Sequence, residues 1–150
     1  MVLLLLAPAA HAGLNDPIPS PFTKQVYSVP GIVSDGVATV ISCSSALSTP
    51  LNVGVQWFKK DGTPADGATG LSQFTIPAGG TVNFGSNGTV WLPIDAVMPG
   101  GATLKNGAAR VLSTTTKSLL CNAFLVDPNN DPPKLLMHLP MMRGKAQKGD

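Results

Sequence analysis

The chain has 150 residues, enough for one domain that buries about two-thirds of its unfolded surface. It is rich in glycine (16) and proline (14), only 12% charged and free of glutamate, a composition that excludes long surface helices and favours short strands joined by turns. A formal net charge of +2 excludes a strong electrostatic drive towards nucleic acid or an anionic membrane.

Residues 2–6 form a short apolar run, and Ala10-His11-Ala12 has the small-x-small pattern of a signal-peptidase site. Residues 1–12 therefore read as a signal peptide, with a mature start at Gly13 and export to the periplasm, cell surface or medium. The run is too short to span a bilayer, and no other stretch is apolar enough to be a transmembrane helix. Residues 13–23 carry Pro17, Pro19 and Pro21 in alternate positions and are expected to form an extended, largely unpaired arm.

A strand is expected over residues 24–29, stopped by Pro30-Gly31. In the next, Val37, Thr39, Ile41 and Cys43 share one face while Ala38, Val40, Ser42 and Ser44 share the other. After Pro50, a third puts Leu51, Val53, Val55 and Trp57 on an apolar face, and Lys59-Lys60-Asp61-Gly62 supplies a tight reversal. Residues 71–76, 81–84 and 89–92 read as short strands, with Asn87-Gly88 as a turn. Residues 93–101 are the one segment in which a turn of helix could hide before Pro99-Gly100-Gly101 stops it.

Residues 108–113 alternate as a strand. Residues 119–126 place Leu119, Cys121, Ala123 and Leu125 on one face and Leu120, Asn122, Phe124 and Val126 on the other. Both faces are substantially apolar, which predicts a central strand covered by the opposite sheet on one side and by a loop or partner on the other. After the turn DPNNDPP, a last strand at residues 134–139 should point Leu135, Met137 and Leu139 inward. Strands recurring every 8–12 residues or so specify an all-β, mostly antiparallel two-sheet sandwich over residues 24–142. Residues 143–150, with Arg143, Lys145 and Lys148, form a basic tail expected to be solvated.

Cys43 and Cys121 in an exported chain read most simply as one disulfide, since a lone pair so far apart is a poor zinc site and no CxxC motif is present. Cys43, Trp57 and Cys121, together with the run VQWFKKDG, make residues 37–126 resemble the immunoglobulin-like sandwich. That resemblance implies a disulfide between the two sheets with Trp57 packed on it, and implies no function. Leu119 stands where the family has its corner tyrosine, and the cysteines are far apart for it.

Catalytic material is sparse. After the leader the only histidine is His138, there is no GxSxG elbow, and the acidic residues, all aspartates, sit mostly in turn contexts such as Asp35-Gly36 and Asp61-Gly62. No enzyme activity and no cofactor are expected. Asp127, Asn129 and Asp131 have the alternate spacing of calcium ligands, but Pro132 replaces the glycine of such a loop and no glutamate closes it, so a turn is the better reading.

Met137, His138, Met141 and Met142 resemble in composition the Met/His sites of periplasmic copper carriers. With Met137 inward, His138, Met141 and Met142 would remain as the soft ligand set of an alternative copper-carrier function. Asn87-Gly88-Thr89 also matches a glycosylation sequon, with the compact turn as the preferred meaning. The favoured reading is a secreted, non-catalytic structural or interaction module with a protein partner or self-association. Its candidate contact surfaces are residues 63–70, residues 84–89, the Trp91 region and the proline-rich arm.

Overall fold

The computed structural model of the chain describes residues 13–144. The strands are β1 (Lys24–Ile32), β2 (Ala38–Ser45), β3 (Leu51–Phe58), β4 (Leu71–Ile76), β5 (Thr81–Gly85), β6 (Ala96–Val97), β7 (Gly107–Ser113), β8 (Leu119–Val126), β9 (Leu136–Leu139) and β10 (Met142–Arg143). Short 3₁₀ turns occupy Gly13–Asn15 and Pro99–Gly101. The first sheet has the order β10-β1-β7-β3-β4 and the second β6-β5-β2-β8-β9; neighbours are antiparallel except β5 and β6.

Period-two alternation puts Val53, Val55 and Trp57 of β3 and Ala109 and Val111 of β7 on the inner face of the first sheet. They pack against Ile41 and Cys43 of β2, Val82 and Phe84 of β5, and Leu119 and Ala123 of β8. The result is a sandwich core, within which the Tyr27 hydroxyl crosses between sheets to donate to the Leu119 carbonyl at 3.0 Å. Trp57, fully buried, donates its indole N–H to Ser72 Oγ at 2.9 Å, and Ser72 passes a bond on to the Val97 carbonyl at 3.0 Å.

Successive strands pass from sheet to sheet: β1 first, β2 second, β3 and β4 first, β5 second, β7 first, β8 and β9 second. With β4-β3-β7-β1 facing β5-β2-β8-β9, this is the connectivity of a jelly roll in which the last long strand fills the place usually held by an opening one.

The disulfide is present, but it does not bridge the sheets. Cys43 and Cys121 are direct partners on β2 and β8, neighbours in one sheet, with Cα atoms 4.1 Å apart. That spacing is near that of a non-hydrogen-bonded antiparallel pair, so the bond locks a ladder instead of stapling two layers.

Other differences from the expected elements have local causes. Residues 89–92 are not a strand, because Thr89 Oγ1 closes a turn by accepting from Leu92 N–H at 3.0 Å and donating to its carbonyl at 2.7 Å. The helix-prone segment supplies instead the edge strand β6 and the turn at Pro99. Arg143, assigned to the tail, lies in β10 opposite Tyr27, with its guanidinium 5.7 Å from that ring, and Gly144 N–H donates to Val26 O at 2.9 Å. The signal peptide and residues 145–150 lie outside the described residues.

The second face of β8 is covered at its Phe124 and Val126 end, while Leu120 and Asn122 on the same face are exposed. Trp91, Leu92 and Ile94 fold over Ala38, Val40, Phe124 and Val126 as a second small core, with the Trp91 and Phe124 rings edge-to-face at 6.3 Å. Among the described residues no helix is long and apolar enough to cross a membrane.

Candidate functional site

The outer face of the first sheet carries a feature that local pattern did not signal. Arg110 on β7 points away from the core in register with Ser28 of β1 and Gln56 of β3, yet it is only 1% exposed. The N-terminal arm covers it. Arg110 Nε donates to Gln56 Oε1 at 2.9 Å, Nη1 to the carbonyls of Leu14 at 3.2 Å and Asp16 at 2.6 Å, and Nη2 to the Pro17 carbonyl at 3.0 Å. A longer bond reaches Gln25 Oε1 at 3.4 Å, and the guanidinium lies 5.5 Å from the Phe58 ring.

Phe22 completes the seal over Gly54, where a Cβ would meet the Phe22 ring at 2.7 Å, so glycine leaves the room the ring occupies over β3. Burial pulls the Arg110 guanidinium below its usual value, opposed by the charge of Asp16. The planar fork explains why an arginine serves here: its donors meet several carbonyls at once. The arm is thus a clasp on its own domain: it wraps its own sandwich, as expected in preference to pairing with a neighbour, but its backbone is tied where it was expected to be largely unpaired.

The contact loops proposed from sequence are also internally tied. In residues 63–70, Asp66 Oδ1 accepts from Ala68 N–H at 2.8 Å and Gly70 N–H at 2.7 Å. Burial opposes its ionisation, but the N–H groups of Ala68, Gly70 and Thr69 hold it below the ordinary carboxylate value. Gly70, at φ +60°, lies so close to the Trp57 carbonyl that a Cβ would fall 2.3 Å from it. In residues 84–89, the Asn87 side-chain amide donates to the carbonyls of Ser34 at 2.9 Å and Val37 at 3.2 Å.

Asp127 likewise works as a turn residue, accepting from the N–H of Asn129 at 3.0 Å and of Lys134 at 3.3 Å and from the Asn130 amide. The Asn129 bond is the main cause that holds its carboxyl below the ordinary range. Its oxygens are spoken for by the turn itself.

Of the Met/His residues, His138 is exposed on β9 opposite Phe124 in the second sheet, Met142 is exposed on β10 in the first, and Met141, between them in the chain, packs partly against the core. Met137, expected inward, is 53% exposed, and Leu135 lies ahead of β9 and is half-buried. The reason is that β9 is an edge strand, and only its Leu139 end reaches the core. Among the described residues no group of three or more His, Cys, Asp or Glu side chains is placed to hold a metal.

The second sheet ends in a step. β9 pairs with residues 123–126 of β8, so residues 119–122 of β8 have β2 as their one strand partner. Leu120 (61% exposed) and the exposed Asn122 lie in that stretch, next to the Leu139 end of β9, while the exposed Leu136 and Met137 lie at the other end of β9, opposite Val126 and Leu125. Edge strands ordinarily carry charges that discourage pairing, and this one offers apolar side chains instead. No protein-family model, no curated protein and no solved structure matches the chain.

Proposed function

We propose that this chain is an exported, non-catalytic interaction module whose contact surface is the stepped edge formed by β8 and β9. The observation that carries the reading is the stretch of β8 at residues 119–122, which has no strand partner on its β9 side, lies in line with the Leu139 end of β9 and carries the exposed Leu120. An extended, apolar strand of a protein partner would continue β9 along β8, gaining ladder hydrogen bonds and covering Leu120. The leader-like residues 1–12 and the Cys43–Cys121 disulfide support an oxidising, exported setting. The copper-carrier alternative at His138, Met141 and Met142 has less behind it, since Met141 is turned partly against the core and the other two lie on strands of different sheets.

The test is site-specific photo-cross-linking in the exporting cell, with the reactive group at position 120 or 122 and a control at the exposed Thr75 of β4. An adduct to a second copy or to another envelope protein, formed from the first two positions and not the control, is expected. Equal labelling from all three positions, or none, refutes the edge as the contact surface.

A further inference from the structure

At one end of the sandwich the turn after β3 and the segment leading into β7 form the walls of a cleft of about 810 Å³. Lys59, Lys60 and Asp61 line one wall, and Thr103, Leu104, Lys105 and Asn106 the other. Three of the six lysines among the described residues are therefore gathered here, in a chain whose net charge is only +2. The cleft's single carboxylate, Asp61, held by the Thr63 N–H at 3.0 Å and hydroxyl at 2.6 Å, offsets only one of the three positive charges. Asp35, outside the cleft, meets Lys105 at 3.6 Å, a pair with both side chains well exposed and so worth little.

Both walls have fixed backbones. In the first, Lys59 N–H donates to the Thr63 carbonyl at 2.8 Å and Gly62 N–H to the Lys59 carbonyl at 3.0 Å, while Gly13 of the clasped arm abuts Gly62. In the second, Ser34 pins three groups: its N–H donates to the Leu104 carbonyl at 2.7 Å, its hydroxyl donates to the Ala102 carbonyl at 2.9 Å, and its hydroxyl oxygen accepts from Leu104 N–H at 2.8 Å. Leu104 itself is buried beneath the cleft.

A cleft of this size is in the usual range for a small-molecule site. It has no aromatic platform for a base or sugar ring, and no arginine fork to grip one phosphate in two places. It has three flexible ammonium groups, which suit several anionic groups spread over one molecule, with Asn106 and Thr103 as neutral polar groups beside them.

We propose that this cleft binds a small, non-aromatic, multivalent oxyanion through Lys59, Lys60 and Lys105. The site is independent of the β8–β9 edge. The shared ligand chemistry is two or more carboxylates or phosphates on one small frame.

Tripolyphosphate and citrate, titrated separately into the whole protein at low salt and followed by backbone amide shifts, distinguish the two sources. Saturable shifts confined to residues 59–63 and 103–107 with either probe are expected, weakening as salt rises past about 0.1 M. The combined Lys59→Gln, Lys60→Gln and Lys105→Gln variant should bind about tenfold more weakly, as the loss of three exposed ion pairs implies. Lys24→Gln, Lys117→Gln and Lys134→Gln together remove the same charge elsewhere and should leave binding unchanged. Absence of saturable shifts with both probes, or equal weakening by the two triple variants, overturns the proposal.

Discussion

Replacing Arg110 by methionine keeps much of the side-chain volume and removes every donor. Hydrogen bonds to a charged group contribute about 1.5 kcal/mol or more each, so the three shortest, to Gln56, Asp16 and Pro17, together give about 5 kcal/mol. Holding a cation out of water offsets several kcal/mol of that. The acceptors left behind decide the balance. Gln56 stays buried without its donor, whereas the carbonyls of Leu14, Asp16 and Pro17 regain water if the arm lifts.

Arg110→Met is therefore expected to lower the unfolding free energy by about 2–3 kcal/mol and to release the arm well before the sheets unfold. Urea unfolding followed by tryptophan fluorescence measures the first effect. Hydrogen exchange at the Phe22 and Thr23 amides, which bond to the carbonyls of Pro19 and Ser113, measures the second. Arg110→Lys should not rescue either, because one ammonium cannot serve Gln56 and three carbonyls together. A Met variant as stable as the parent to within about 0.5 kcal/mol, with unchanged exchange at both amides, would refute the clasp.

Reduction of Cys43–Cys121 should lower stability by about 4.5 kcal/mol in the chain-entropy treatment of its 78-residue separation. Urea midpoints with and without reductant check this, and labelling of both thiols in the untreated native protein would contradict it. Acid should destabilise the fold through Asp61, Asp66 and Asp127, whose folded pKa values are all depressed below 3.8, Asp61 chiefly by the Thr63 hydroxyl. Their contribution is complete above the unfolded value and is lost as pH falls from about 4 through the lower folded values. Carboxyl carbon NMR titration should give midpoints below 3.8 for all three, and Asp66→Ala should flatten the acid side of a stability profile; ordinary midpoints would contradict the reading.

Alternation in the sequence reports which face of a strand is buried and says little about which strand lies beside it. Hence β2, β3 and β8 were legible, and the cover expected over the second face of β8 is provided by Trp91, Leu92 and Ile94 at Phe124 and Val126 but is missing over Leu120. The same pattern cannot distinguish a cysteine facing its partner across the core from one beside it in a ladder. That choice follows from connections of long sequence separation, such as the pairing of β2 with β8.

Arg110 was illegible for a related reason. A charged residue on the polar side of a strand looks solvated until the chain supplies a lid, and here the lid lies 93–96 residues away in sequence. The one hint lay in the company it keeps on that face, Gly54 and Gln56, small and neutral enough to sit under another layer. For the Met/His group, strand parity put Met137 inward, but parity does not say whether the facing sheet extends that far, and at this edge it does not.

The hold of Asn87 on the carbonyls of Ser34 and Val37 matters for how the protein is made wherever an oligosaccharyltransferase is present. Its amide nitrogen is the atom an oligosaccharyltransferase would modify, and that atom is turned inward against backbone once residues 34–37 have closed on it. In a eukaryotic secretory pathway a sugar could be attached only before that closure, and would then keep the turn from forming as it does here. The glycosylated fraction of the product would thus act as a clock, recording how many chains lingered unfolded past the translocon. Replacing Thr89 to remove the sequon would not be innocent, because its hydroxyl closes the turn to Leu92 that carries Trp91 over β8.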